Sequence, residues 1–265
     1  KKPERWIATD AGMDKISTKI AGKIAGSLEK RLKKAYPKAR KIEEEIREEN
    51  EEKVFAKGCG FYKIVMLFMI GAFLGDITET LFCRVTAGVW MSRSSVVWGP
   101  FSIVWGLAIA LVTALLYKYK DKGDRFLFLT GTLLGGAYEY FCSVFTELVF
   151  GKVFWDYSKI PFNLGGRINL LYCFFWGIAA VVWFKILFPP VEKWIEKIPA
   201  VAGKILTWVL LGFMVCNILV SCVALVRYDE RGNGVQATNA VQKWADAHYD
   251  DAKMKKIYPN AKGIN

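Results

Sequence analysis

"FYKIVMLFMIGAFLGDITETLF", Phe61 to Phe82, decides what kind of protein this is. A hydrocarbon core about 30 Å thick takes about 20 residues of helix to cross, and this stretch is long and apolar enough to cross it. Its second half nevertheless carries Asp76 and Glu79. An ionised acid facing lipid at the centre of a helix costs about 3 kcal/mol on insertion scales. The chain therefore reads as a membrane protein whose helices turn their polar groups toward one another.

Further stretches repeat that character at Val96–Tyr117, Phe126–Phe150, Ile168–Phe188 and Val201–Val226. The composition agrees, with 53% hydrophobic and 15% aromatic residues over 265 positions, more than an ordinary soluble domain holds. The expected fold class is an all-α polytopic membrane protein with five transmembrane helices. Residues 1–57 form a basic amphipathic and charged helical region, 58–227 the transmembrane domain, and 228–265 a polar extramembrane tail. The first apolar stretch lies too deep in the chain for a cleavable signal.

The net charge of +12 falls mainly in the flanks and short connections, where basic residues meet anionic headgroups. Membrane lipids are thus the expected partners, and nucleic acid is not. The six cysteines lie in or beside the apolar runs without paired spacing and read as helix-packing residues. His248 is the single histidine, so neither a histidine-rich metal site nor a histidine triad is expected, and no cofactor is implied.

Over Met13–Tyr36 apolar residues recur every four positions (Ile16, Ile20, Ile24, Leu28, Leu32) with lysines between them, up to Pro37. This is a basic amphipathic helix, suited either to a membrane surface or to packing on the protein or a partner. The connections at 118–125 and 185–204 carry four Lys or Arg each, against two at 84–95 and three at 151–167. That asymmetry puts the amino terminus in the cytoplasm and the carboxyl tail outside. The tail includes an expected helix over Thr238–Tyr249 and is too short and polar for a core of its own.

The first and third apolar stretches align: "GAFLGDITE" (Gly71–Glu79) against "GTLLGGAYE" (Gly131–Glu139). The second and fourth align through "FSIVWGLA" (Phe101–Ala108) and "YCFFWGIA" (Tyr172–Ala179). The first four helices thus read as a parallel duplication of a two-helix unit. Gly71, Gly75 and Glu79 share one helical face, as do Gly131, Gly135 and Glu139. Small residues let helices approach closely, so each glutamate points into an interface. Either Glu79 and Glu139 line a polar site, with Asp76 one turn away, or each bridges a neighbouring helix through an arginine. Glu147, near the end of its helix, reads as interfacial.

"WDYSKIPFNLGGRI" (Trp155–Ile168) is irregular and polar beside an apolar run, which is tolerated at membrane depth when it is buried in protein or lines a cavity. Asp156, Tyr157 and Asn163 belong to it, and Arg167 enters the fourth helix. Arg93 holds the comparable place before the second. The two arginines either bind an anionic group or neutralise Glu79, Glu139 or Asp156. Trp90, Trp98, Trp155 and Tyr157 suit an interfacial belt or stacking on a ligand.

Ser92, Arg93, Trp98, Gly99, Pro100, Trp105 and Gly106, with "YEY" at Tyr138–Tyr140 and "WDYS…PFNL.GRI.L" at Trp155–Leu170, resemble the ABC-transporter type IV (CmpB-like) membrane protein family. The resemblance covers about Ile64 to Pro190. It implies a bacterial multi-pass membrane protein related to transporter permeases. Ser94 and Ser95 stand where that family usually has a glycine and a phenylalanine. No G-x-x-x-x-G-K-[ST] phosphate loop occurs in the sequence, so any ATPase is a separate subunit. The leading expectation is a permease or substrate-binding membrane subunit for a small polar or anionic substrate, its intramembrane site open to the outer face. The alternatives are a membrane enzyme acting on a lipid or polyprenyl substrate and a scaffolding membrane protein.

Overall fold

The computed structural model describes residues 22–28, 30–31, 54–259 and 262–263. Residues 22–28 and 30–31 are helical; the rest of the amphipathic helix expected over 13–36 lies outside the described residues.

Helix α1 (Phe61–Ala87) runs past the expected Phe82 because Gly88 is the residue that stops it. There φ is +72° and the glycine N–H returns to the Arg84 carbonyl, a left-handed cap that favours a residue without Cβ. Helix α2 (Ile103–Leu116) begins seven residues after the expected Val96. Gly99, at φ +80°, and Pro100 keep the preceding segment extended and bent, and the Ser102 hydroxyl then caps the Trp105 N–H. A 3-10 turn (Tyr117–Tyr119) finishes it.

Helix α3 (Asp124–Phe150) leads to a short strand β1 (Lys152–Val153) and a hairpin of β2 (Asn163–Leu164) with β3 (Ile168–Asn169). Helix α4 (Leu170–Val182) passes through a π turn (Trp183–Leu187) into α5 (Phe188–Glu196). The prolines at 189 and 190 sit in the first turn of α5, where their missing N–H groups cost little, so the helix outlasts the expected Phe188. Helix α6 (Ala200–Gly232) is followed by α7 (Ala240–His248), α8 (Asp251–Ile257) and β4 (Lys262–Gly263), which pairs antiparallel with β1.

Three of these helical segments, Phe61–Ala87, Leu170–Glu196 and Ala200–Gly232, are long and apolar enough to cross a membrane. The apolar segment Ile103–Tyr119 is shorter. Helix α3 has the length but carries Tyr138, Glu139, Ser143 and Glu147 in its second half. Large apolar side chains such as Leu133, Phe141, Ile205 and Val209 are exposed while Lys63, Asp76, Glu139 and Asn217 are buried. That is the inverse of a soluble surface and suits a lipid surround.

Helices pack in two pairs, and glycines set the spacing. In α1·α2 a Cβ on Gly75 would lie 2.1 Å from the Trp105 Cβ, and one on Gly71 2.9 Å from Ile109 Cδ1. In α3·α4 a Cβ on Gly135 would lie 2.3 Å from the Trp176 Cβ, and one on Gly131 2.4 Å from the Ala180 Cβ. Conversely Gly106 approaches the Phe68 carbonyl, and Gly177 that of Phe128. Each pair is therefore a tryptophan seated in a glycine notch, with backbones close enough for dispersion to hold them.

The tail does not fold alone. Tyr249, Met254 and Tyr258 bury themselves against Ala224 and Leu225 of α6, with Val97 and Phe154 alongside. This gathers the loop after α1, the loop after α3 and the tail at one end of the bundle. At the other end Lys63, fully buried, reaches Glu196 at 3.0 Å and Glu192 at 3.6 Å, and Glu192 also takes Lys120 at 3.1 Å and the Tyr117 hydroxyl at 3.0 Å.

Candidate functional site

The faces that carry the glycine notches also carry the acids. Glu79, one turn past Gly75, faces Arg93 Nη2 at 3.4 Å. The loop that delivers Arg93 is held by buried polar groups of α6. Asn217 accepts from the Trp98 N–H at 3.0 Å and donates to its carbonyl at 2.8 Å, while Ser221 Oγ accepts from the Val97 N–H at 2.9 Å. Irregular backbone inside a bundle needs such partners, because each unmet group costs about 1–3 kcal/mol.

Glu139 occupies the matching turn of α3 and is buried. Its Oε1 accepts from the Tyr157 hydroxyl at 2.7 Å and its Oε2 from Trp176 Nε1 at 3.0 Å. Tyr157 stacks on Tyr172, centroids 4.7 Å apart and planes 15° off parallel. Burial first, and the adjacent Glu139 carboxylate next, push the Tyr157 hydroxyl upward from its usual pKa, which keeps it a donor at neutral pH. The two helix pairs meet at the two notch tryptophans, Trp105 and Trp176, whose rings lie 5.1 Å apart. Tyr138 adds a bond from α3 to the Val104 carbonyl of α2 at 2.7 Å. The two halves therefore join through these aromatic contacts.

Asp76 lies on the same helix one turn before Glu79 and is 5% exposed. Among the described residues its Oδ1 and the Arg93 Nε are both buried without a hydrogen-bond partner. An acceptor and a donor thus stand unfilled beside the ion pair.

The structure brings Asp76, Glu79, Arg93, Glu139 and Tyr157 into this centre. It sets Arg167 and Asp156 at a neighbouring cleft of about 220 Å³, lined also by Ser143, Glu147, Trp155 and Gly166. Arg167 pairs with Glu147 and donates to Ser143 Oγ at 3.2 Å. Of the neutralising pairs expected from sequence, Arg93 with Glu79 is present, while Arg167 takes an acid two turns beyond Glu139. The difference lies in the loops: the β2–β3 hairpin, which has no counterpart before α2, presents Arg167 to the end of α3. Asp156 accepts from the Ser158 N–H at 2.9 Å and hydroxyl at 3.0 Å. Asn163 donates to the Ile160 carbonyl at 2.7 Å and accepts from the Gly166 N–H at 3.0 Å. Both fasten the loop.

Trp105, Trp176 and Tyr138 are members of the centre that residue-by-residue reading passed over, although the matched "IVWG" and "FFWG" segments contain the signal. Among the described residues no group of three His, Cys, Asp or Glu side chains is arranged to hold a metal ion.

Apolar helices of membrane-crossing length, closed around a hydrogen-bonded carboxylate and an acid–arginine pair, define a helical membrane protein with a polar centre. Sequence comparison agrees with that class. The chain belongs to the family described as "Putative ABC-transporter type IV", which matches residues 66–222. No curated protein and no solved structure shows significant similarity to it.

Proposed function

We propose that this protein is a membrane subunit of a bacterial transporter, binding a small polar solute where two duplicated helix pairs meet. In this reading α1, α2, α3, α4 with α5, and α6 make five crossings. The amino terminus is cytoplasmic and the tail, with the two polar loops, lies outside, so the site is reached from the outer face. A separate ATPase supplies energy, in keeping with family membership and the missing phosphate loop. Matched notches, Gly75 with Trp105 and Gly135 with Trp176, support descent from one two-helix unit.

The observation that carries the proposal is Glu139, a buried carboxylate held by Tyr157 and Trp176 at the junction of the pairs, within charge range of Glu79. Intramembrane acids are expensive and by default mark substrate or ion pathways. Glu79→Gln and Glu139→Gln, in protein that still assembles, are expected to abolish solute uptake or binding. Full function with both substituted would assign the polar centre to helix packing alone and make the protein a scaffold.

A further inference from the structure

The centre's charges and unfilled hydrogen bonds narrow the kind of solute it takes. Arg93 faces Glu79, and Glu139 is held by the neutral donors Tyr157 and Trp176. Asp76 has Arg93 in charge range but no ion pair with it. Asp76 and Glu79, one turn apart on α1, thus have one guanidinium beside them, and Glu139 has none. An anionic solute would add to that excess in a poorly screened interior, whereas a monocation would reduce it.

Geometry adds a second requirement. Asp76, nineteen-twentieths buried, presents an unfilled acceptor at Oδ1, and Arg93 an unfilled donor at Nε. A ligand that meets both must donate to the first and accept from the second. The third element is aromatic: Trp105 lies against Gly75, beside Asp76 in the chain, and meets Trp176, which holds Glu139.

We propose, resting on the solute-binding reading above, that the centre formed by Asp76, Glu79, Arg93, Glu139, Trp105 and Trp176 recognises a primary ammonium group with a neutral oxygen beside it. The ammonium donates to Asp76 and the oxygen accepts from Arg93 Nε. This is the chemistry of an amino alcohol, offered by a free solute or by the headgroup of an aminophospholipid.

The probe is 2-aminoethanol, titrated calorimetrically into the full chain in phosphatidylcholine nanodiscs. Saturable binding is expected, with none for the isosteric but uncharged ethylene glycol. Asp76→Asn is expected to weaken binding at least tenfold. The comparison of the two probes on the wild-type protein needs no variant to fold. Adding phosphatidylethanolamine to the discs separates the sources: loss of 2-aminoethanol binding identifies the headgroup as occupant, and undiminished binding identifies the free solute. Failure of 2-aminoethanol to bind, equal binding of ethylene glycol, or unchanged affinity in Asp76→Asn would overturn the proposal. If uptake of some other solute is still lost in Glu139→Gln, the solute-binding reading stands and only the ammonium class falls.

Discussion

Alanine substitutions at the two notches test the packing on which the polar centre depends. At Gly75 an added Cβ would lie 2.1 Å from the Trp105 Cβ and 2.3 Å from its Cγ; at Gly135 the corresponding distances to Trp176 are 2.3 and 2.5 Å. Ordinary contact begins at 3.4 Å, so the helices would have to part by more than about 1 Å, forfeiting much of the dispersion along the interface. The tryptophan Cβ atoms are fixed to backbone, so no rotamer change relieves the clash with them. The cost belongs at or above the top of the range for overpacking, about 3 kcal/mol. Gly71 is milder: Ile109 Cδ1 at 2.9 Å can turn aside while its backbone-fixed Cβ lies at 3.0 Å, so alanine there should cost about 1–2 kcal/mol. Gly212 in α6 has nothing within 4 Å, and alanine there should stabilise by up to about 1 kcal/mol through helix propensity. Denaturant titration in one detergent, followed by circular dichroism, gives all four values. The reasoning is refuted if Gly75→Ala proves no less stable than Gly212→Ala.

Other consequences follow from the same contacts. Asn217→Leu strips the Trp98 N–H and carbonyl of their partner and should destabilise by about 2–4 kcal/mol, read by the same titration. Lys63→Met leaves Glu196 without its closest cation and should cost about 3 kcal/mol, whereas the double change with Glu196→Gln should recover part of it in a double-mutant cycle. In the tail, hydrogen bonds from Arg227 lead the effects that lower the Asp246 pKa, so its contribution is complete above the unfolded value of about 3.9 and is lost as pH falls through the folded one. Asp246→Asn should therefore loosen α7 at neutral pH to the extent that acid below about pH 4 loosens the wild-type tail, as measured by protease cleavage between α6 and α7.

Much of the helical frame was legible because lipid imposes length and apolarity on any segment that crosses it. The burial of Glu139 was legible for the same reason, since a polar group after glycines in such a setting faces inward, while Glu79 keeps 31% of its side chain exposed. Boundaries were harder. Apolarity extends from Val96, yet Gly99 and Pro100 delay α2 to Ile103, and hydropathy is blind to that backbone chemistry. The π turn at Trp183–Leu187 carries the chain smoothly into a proline pair that reads, on its own, as a stop. The partner of Arg167 was not legible at all, because a hairpin's register decides which turn of α3 it reaches. Lys63 carries no signal of its partners in the sequence, and only the extension of α4 into α5 brings Glu192 and Glu196 to it.

Where the two helix pairs agree and where they part is itself informative. The agreement is steric: glycine, glycine, glutamate on one helix, tryptophan and glycine on the other, each group set by how closely backbones must approach. The divergence is chemical. Asp76 stands where the second pair has Gly136, whose own notch is filled by Cys173 Sγ. Arg93 turns to Glu79, while Arg167 leaves Glu139 to tyrosine and tryptophan. Burial differs as well: the Glu79 side chain is 31% exposed beside its guanidinium, whereas Glu139 is 7% exposed and relies on neutral donors. On the ammonium proposal the charged end of the bound molecule meets Asp76 and its uncharged end the Arg93 N–H of the same pair. On that proposal a ligand lies in one orientation, and Asp76→Asn, which removes an acid that the second pair lacks at Gly136, should cost binding while sparing the fold.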